Sequence, residues 1–106
     1  MSYRRQPEKL SRLSAHLEDL FNQASGHSPK HLPPDLVDEI GATAGEVMVE
    51  LADHRGDELA RGVIEDARRL RELVRSLLPE PAPVAEAGRV LISDLATFIR
   101  QDKRAA

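Results

Sequence analysis

The segment LVDEIGATAGEVMVEL, Leu36 to Leu51, decides the fold, because it can fold in two ways. As one amphipathic helix, it would hold Gly41 and Gly45 inside the helix. As two shorter helices, it would turn at Gly41, which can supply the positive φ that a tight turn needs. Thr43 followed by Glu46 has the spacing of a capping box, which marks a helix start. From the sequence alone, both conformations stay open.

Apolar residues elsewhere in the chain recur at alternating steps of three and four, the spacing of an amphipathic helix. With the proline and glycine breakers, they predict helices at about 7–24, 35–55, 57–78 and 84–100, and a basic, frayed tail at 101–106. Apolar and polar residues do not alternate with a period of two in any segment, so no strand is predicted. The predicted fold class is therefore all-α: one domain over 1–106, an antiparallel bundle of about four helices, with or without a break at 41–43.

Composition restricts the functional classes. The chain has no cysteine, which excludes disulfides, thiolate metal sites and a cysteine nucleophile. The N-terminus lacks the apolar core of a signal peptide, and no apolar run approaches the roughly 20 residues of a membrane span. We therefore expect a cytoplasmic protein that does not engage a membrane. Twelve arginines against three lysines favour a bacterial, GC-rich source.

Charge is distributed unevenly along the chain. Residues 35–66 carry ten acids against two arginines, a net charge of −8. Residues 1–12 and 67–75 are each net +3, with four basic residues against one acid. An acidic middle between basic segments favours association with a second copy or with another protein. The arginine-rich run in 67–75 is more typical of a solvated, salt-bridged helix face than of a phosphate site.

With a turn at Gly41, the segment resembles the helix-turn-helix family of DNA-binding proteins over some 16 residues, because its apolar residues fall where that motif buries them. The resemblance implies that the second helix presents its first turn to the major groove. The nucleic-acid contacts would then be Thr43, Ala44 and Glu46, with Arg55 beyond them. Acidic residues in this segment would repel phosphate, which disfavours nucleic acid as the partner.

A second candidate cluster lies around His54. Glu46, Glu50 and His54 are spaced i, i+4 and i+8, with Asp53 and Asp57 beside them, so one helix face could offer ligands to a divalent metal. A solvated acidic face explains the same spacing more simply. His54 with the next two residues also resembles the histidine site of phosphotransfer bundles, over three residues only. We assign no catalytic residue, no metal site and no cofactor.

The sequence is best interpreted as a non-catalytic protein–protein interaction module, a small regulatory adaptor or inhibitor that acts as a homodimer. The predicted partner-binding residues are Gly41, Gly45, Glu46, Met48 and Glu50. The glycines would leave a groove where a second helix can approach closely. A helix-turn-helix transcriptional regulator is the alternative, and a metal-binding or phosphotransfer bundle is a remote one.

Overall fold

Four helices make up most of the chain. The computed structural model describes residues 7–25, 32–54, 56–76 and 81–105, and no strand occurs among them. The helices are α1 (Pro7–Ser25), α2 (Pro34–Glu50), α3 (Glu58–Val74) and α4 (Pro81–Ala105), with a short 3₁₀ turn at Ala52–His54 between α2 and α3. The predicted all-α bundle of about four helices is confirmed. Among these residues, no helix is both long and apolar enough to span a bilayer.

Several helix ends differ from the prediction. α2 ends at Glu50 rather than near 55, because the chain tightens into the 3₁₀ turn, where the His54 amide donates to the Leu51 carbonyl. The predicted helix start at 57 is close to the observed one, since Asp57 caps α3 and its Oδ1 accepts from the Leu59 amide at 2.9 Å. The predicted end of the third helix, 77–78, lies outside the described residues.

α4 is longer than predicted at both ends. It begins at Pro81 instead of 84, because proline needs no amide donor in a first helical turn. It continues to Ala105, so residues 101–105 of the tail that was expected to fray are helical.

The helices pack as a closed ring in chain order. α1 lies next to α2 and α4, and α3 lies next to the same two helices, while the described backbones of the diagonal pairs are farther apart. Lys9 pairs with Glu50 at 3.3 Å and His16 with Glu39 at 2.9 Å, so α1 and α2 run antiparallel. The body measures 48 by 21 by 20 Å, as expected for helices aligned along one axis.

The core is built almost entirely from aliphatic side chains. All four helices contribute one buried stripe, and in α1 this stripe consists of four leucines: Leu10, Leu13, Leu17 and Leu20. Leu17 is 0% exposed and is among the largest fully buried side chains, together with Phe98. Such stripes at helical spacing supply most of the stabilisation of a bundle.

The segment Leu36 to Leu51 is helical up to Glu50, so the turn considered at 41–43 does not form. Neither glycine in it has a positive φ. Thr43 is 2% exposed, and its hydroxyl donates to the Glu39 carbonyl one turn earlier, at 2.7 Å. The side chain therefore bonds backward within an existing helix instead of capping a new one. Burial of Ile40, Ala44 and Val47 on one face accounts for the straight helix.

Candidate functional site

An open groove runs along the outer side of the α2–α3 pair. It has two adjoining parts of about 570 and 760 Å³, which share Gly45, Val49 and Arg71. We call it the α2–α3 groove, and its principal lining residues are Gly41, Gly45, Glu46, Met48, Val49, Arg61, Ile64, Arg68, Arg71 and Arg75.

The middle of the groove is apolar and shallow. Val49 is 75% exposed, the most exposed large apolar side chain of the described residues. Met48 and Ile64 are half-buried and pack against the core from the same side. A Cβ built on Gly45 would meet no atom within 4 Å, whereas one on Gly41 would lie 3.2 Å from Val74 Cγ2. Gly41 therefore serves the contact between α2 and α3, and Gly45 leaves its backbone open to the groove.

The two rims of the groove carry opposite net charge, although Glu58 and Glu65 also line the α3 side and Lys9 lies at the α2 side. Four arginines of α3 line it at a spacing that places them on one helix face: Arg61, Arg68, Arg71 and Arg75. Arg68 pairs with Glu65 at 3.1 Å. Within the described ranges, the other three form no ion pair. On the α2 rim, Asp38 and Glu46 are exposed.

The predicted partner-binding set is only partly brought together. Gly41, Gly45, Glu46 and Met48 all line the groove. Glu50 does not, because it points toward α1 and its Oε2 lies 3.3 Å from Lys9 Nζ. The sequence analysis missed Val49 and the arginine rim. The arginines share a face of α3, but only the packing of α3 beside α2 shows that this face borders the groove.

The residues predicted to contact nucleic acid do not form a common exposed surface. Thr43 is 2% exposed and Ala44 is 0% exposed, so both are turned into the core and cannot contact DNA in this fold. Glu46 is exposed, and Arg55 lies outside the described residues. Without a turn at 41–43, the first helix of the motif does not exist as a separate element.

The acidic cluster near His54 is also dispersed. Glu50 is engaged by Lys9, and Asp57 caps α3. The His54 ring is half-buried and lies 6.3 Å from the Phe98 ring, instead of projecting from a helix face. In the ranges that the structure describes, no group of three or more His, Asp or Glu side chains could hold a metal ion. His27 and His31 lie outside those ranges.

A carboxyl pair forms a second polar feature, between α3 and α4. Asp66 Oδ2 is buried without a hydrogen-bond partner, and the side chain faces Asp94. Burial, followed by the adjacent Asp94 carboxyl, which can share a proton with Asp66 and repels its charge, raises the pKa of Asp66 to about 7, against the weaker opposing effect of Arg69. Two ionised carboxylates can only accept hydrogen bonds, so Asp66 and Asp94 can bond to each other only when one of them is protonated.

The stability of the bundle should therefore fall as this proton is lost. Because the pKa of Asp66 is raised in the folded state, its contribution is complete below about pH 4 and disappears as pH rises through about 7. We expect Asp66→Asn to be about 1–2 kcal/mol more stable than the parent chain at pH 8, with little difference at pH 4. Urea unfolding monitored by circular dichroism across this range measures the effect. If the free energy of unfolding changed equally with pH in the two proteins, this expectation would be wrong. Asp94→Asn should also weaken the dependence of the free energy of unfolding on pH.

The α2–α3 groove is thus the larger surface feature, and the Asp66–Asp94 pair is a local property of the α3–α4 contact. The groove combines exposed apolar area, an open backbone at Gly45 and two charged rims. Comparison of the chain with protein families, with curated proteins and with solved structures found no match.

Proposed function

We propose that this protein is a non-catalytic protein-binding module, a small regulatory adaptor or inhibitor, that binds a helix in the α2–α3 groove. The observation that carries the proposal is the position of Val49, 75% exposed beside a row of arginines. Exposed apolar area rimmed by charged residues is typical of protein interaction sites.

The groove favours one kind of helix. An apolar stripe on the bound helix would cover Val49, Met48 and Ile64, which removes their exposed area from water. Acidic residues beside that stripe would meet Arg71 and Arg75, which lack an ion pair among the described residues. Opposite charge at the rim adds mainly to specificity and to the rate of association. The expected ligand is therefore an amphipathic helix with an acidic flank toward α3.

The same charges argue against a nucleic-acid ligand. Asp38 and Glu46 border the groove opposite the arginines, so a phosphate backbone entering it would meet two carboxylates. Phosphate recognition draws most of its affinity from uninterrupted basic surface. A protein helix can match both rims, because it can carry different charges on its two sides.

A designed peptide tests this function directly. The probe is a helical peptide with leucines along one face, glutamates on the flank that would meet α3 and lysines on the other flank, labelled for fluorescence anisotropy. We expect the full chain to bind it, and the Arg71→Glu/Arg75→Glu double variant to weaken binding at least about tenfold, because opposite charge becomes like charge. Arg89→Glu is the matched control, since it reverses an exposed arginine of α4 away from the groove.

Two outcomes would refute the proposal. One is the absence of binding by the glutamate peptide at millimolar concentration. The other is equal binding by a peptide in which lysines replace the glutamates, because the arginine rim would then contribute nothing. Retained affinity in the double variant would place the binding site elsewhere on the bundle.

A further inference from the structure

The identity of the helix that binds in the α2–α3 groove can be inferred in turn, and this inference rests on the proposed function. We infer that the occupant is α2 of a second copy of this chain, bound antiparallel in a two-fold symmetric dimer that crosses at Gly45. The outer row of α2 has the chemistry that the groove selects. It presents Val49 as an exposed apolar residue, with Asp38 and Glu46 exposed on the same helix and Asp53 exposed in the 3₁₀ turn that follows.

The α2–α3 groove is therefore complementary in charge and apolar area to the outer face of α2, one of the two helices that form it. Each copy offers an acidic, partly apolar α2 and an arginine-rimmed α3. A two-fold axis brings each α2 onto the α3 rim of the other copy, so every favourable contact occurs twice. This arrangement also fits the charge pattern of the chain, in which an acidic segment is followed directly by a basic one.

The register of the two copies follows from one contact. Gly41 lies beside Val74, and α2 and α3 run in opposite directions with the same rise per residue. Three residues after Gly41 on α2 is Ala44, and three residues before Val74 on α3 is Arg71. These two residues therefore lie at the same level. If a second α2 crosses antiparallel at Gly45, its Glu46 also lies at the level of Ala44. The dimer thus places Glu46 of each copy against Arg71 of the other.

Gly45 explains why the helices can cross at this point. It lies within α2, where a glycine costs about 1 kcal/mol relative to alanine. Packing of the described residues does not require this glycine, because a Cβ at this position would meet no atom within 4 Å. In the dimer, the missing side chain lets the two α2 backbones approach closely, as small residues do where helices cross.

Charge reversal in the full chain tests both the occupant and the register. By sedimentation velocity over micromolar to millimolar concentrations, we expect the parent chain to dimerise. Glu46→Arg and Arg71→Glu should each raise the dimer dissociation constant at least about tenfold, because each places like charges together twice. Mixing the two variants should restore dimers, since both contacts in the mixed dimer pair an arginine with a glutamate. Glu86→Arg, an exposed reversal on α4, is the control and should dimerise like the parent.

A glycine substitution adds a test that does not depend on charge. Gly45→Leu should keep the helical signal and the unfolding transition of the parent, because the side chain enters open space, and it should be monomeric. A dimer that tolerates Gly45→Leu, or variants whose mixture stays monomeric, would overturn the crossing. A parent chain that is monomeric throughout but binds the designed glutamate peptide would reject the second copy and leave the proposed function intact. A monomer that binds no peptide would remove both.

Discussion

Replacement of Leu17 by aspartate is expected to unfold the protein. Leu17 lies in the middle of α1 and is 0% exposed, inside the core that all four helices share. A carboxylate at this position would lose its hydration without gaining a partner, and the aliphatic contacts of the leucine would be lost as well. The expected cost exceeds about 4 kcal/mol, which is comparable with the whole stability of a small domain.

Far-ultraviolet circular dichroism measures this loss as a fall in helical signal at neutral pH. Val49→Asp is the matched control, because it makes the same kind of change at a side chain that is 75% exposed. The control should unfold in the same cooperative transition as the parent. A folded Leu17→Asp protein with an unchanged melting temperature would show that α1 does not pack as described.

Substitution of Gly88 by valine should have the next largest effect. Gly88 is a buried residue of α4, and a Cβ built on it would lie 2.1 Å from Cζ of the Phe21 ring on α1. The ring would have to leave its place against the core, and α1 and α4 would separate locally. We expect a loss of about 2–4 kcal/mol in the free energy of unfolding, in the range of overpacked cores and larger when an aromatic contact is also lost.

A double-mutant cycle with Phe21→Ala isolates this contact. In the Phe21→Ala background, the added valine has room, so its cost should fall to less than about 1 kcal/mol. Gly62→Val is the control, because Gly62 is also inside a helix but has no atom within 4 Å of a built Cβ. An equal cost at both glycines would mean that the penalty comes from helix propensity alone.

The helices were predictable because each has a long apolar stripe with clear breakers at its ends. The segment Leu36 to Leu51 was not, because its local signals support both conformations equally well. Gly41 permits a turn and Thr43 with Glu46 permits a cap, but neither residue requires one. What decides between them is the simultaneous burial of Ile40, Ala44 and Val47 against the other helices, and that burial depends on the whole bundle.

The site was predictable only on the α2 side. Small residues at Gly41 and Gly45 indicated a groove, and they line one. The arginine rim was instead interpreted as a solvated face, because the sequence of α3 does not state which helix lies beside it. Gly88 escaped notice for the same reason: its contact, Phe21, belongs to the first helix of the chain, and no local pattern connects the two positions.

The order of the helices in the ring has a practical consequence for tethering. With four alternating helices, the first described residue of α1 and the last of α4 lie at the same end of the body, on neighbouring helices. The α2–α3 groove is formed mainly by α2 and α3, but Lys9, close to the first described residue of α1, also lines it. A fluorophore, affinity tag or linker joined after α4 would therefore disturb the groove less than one joined before α1.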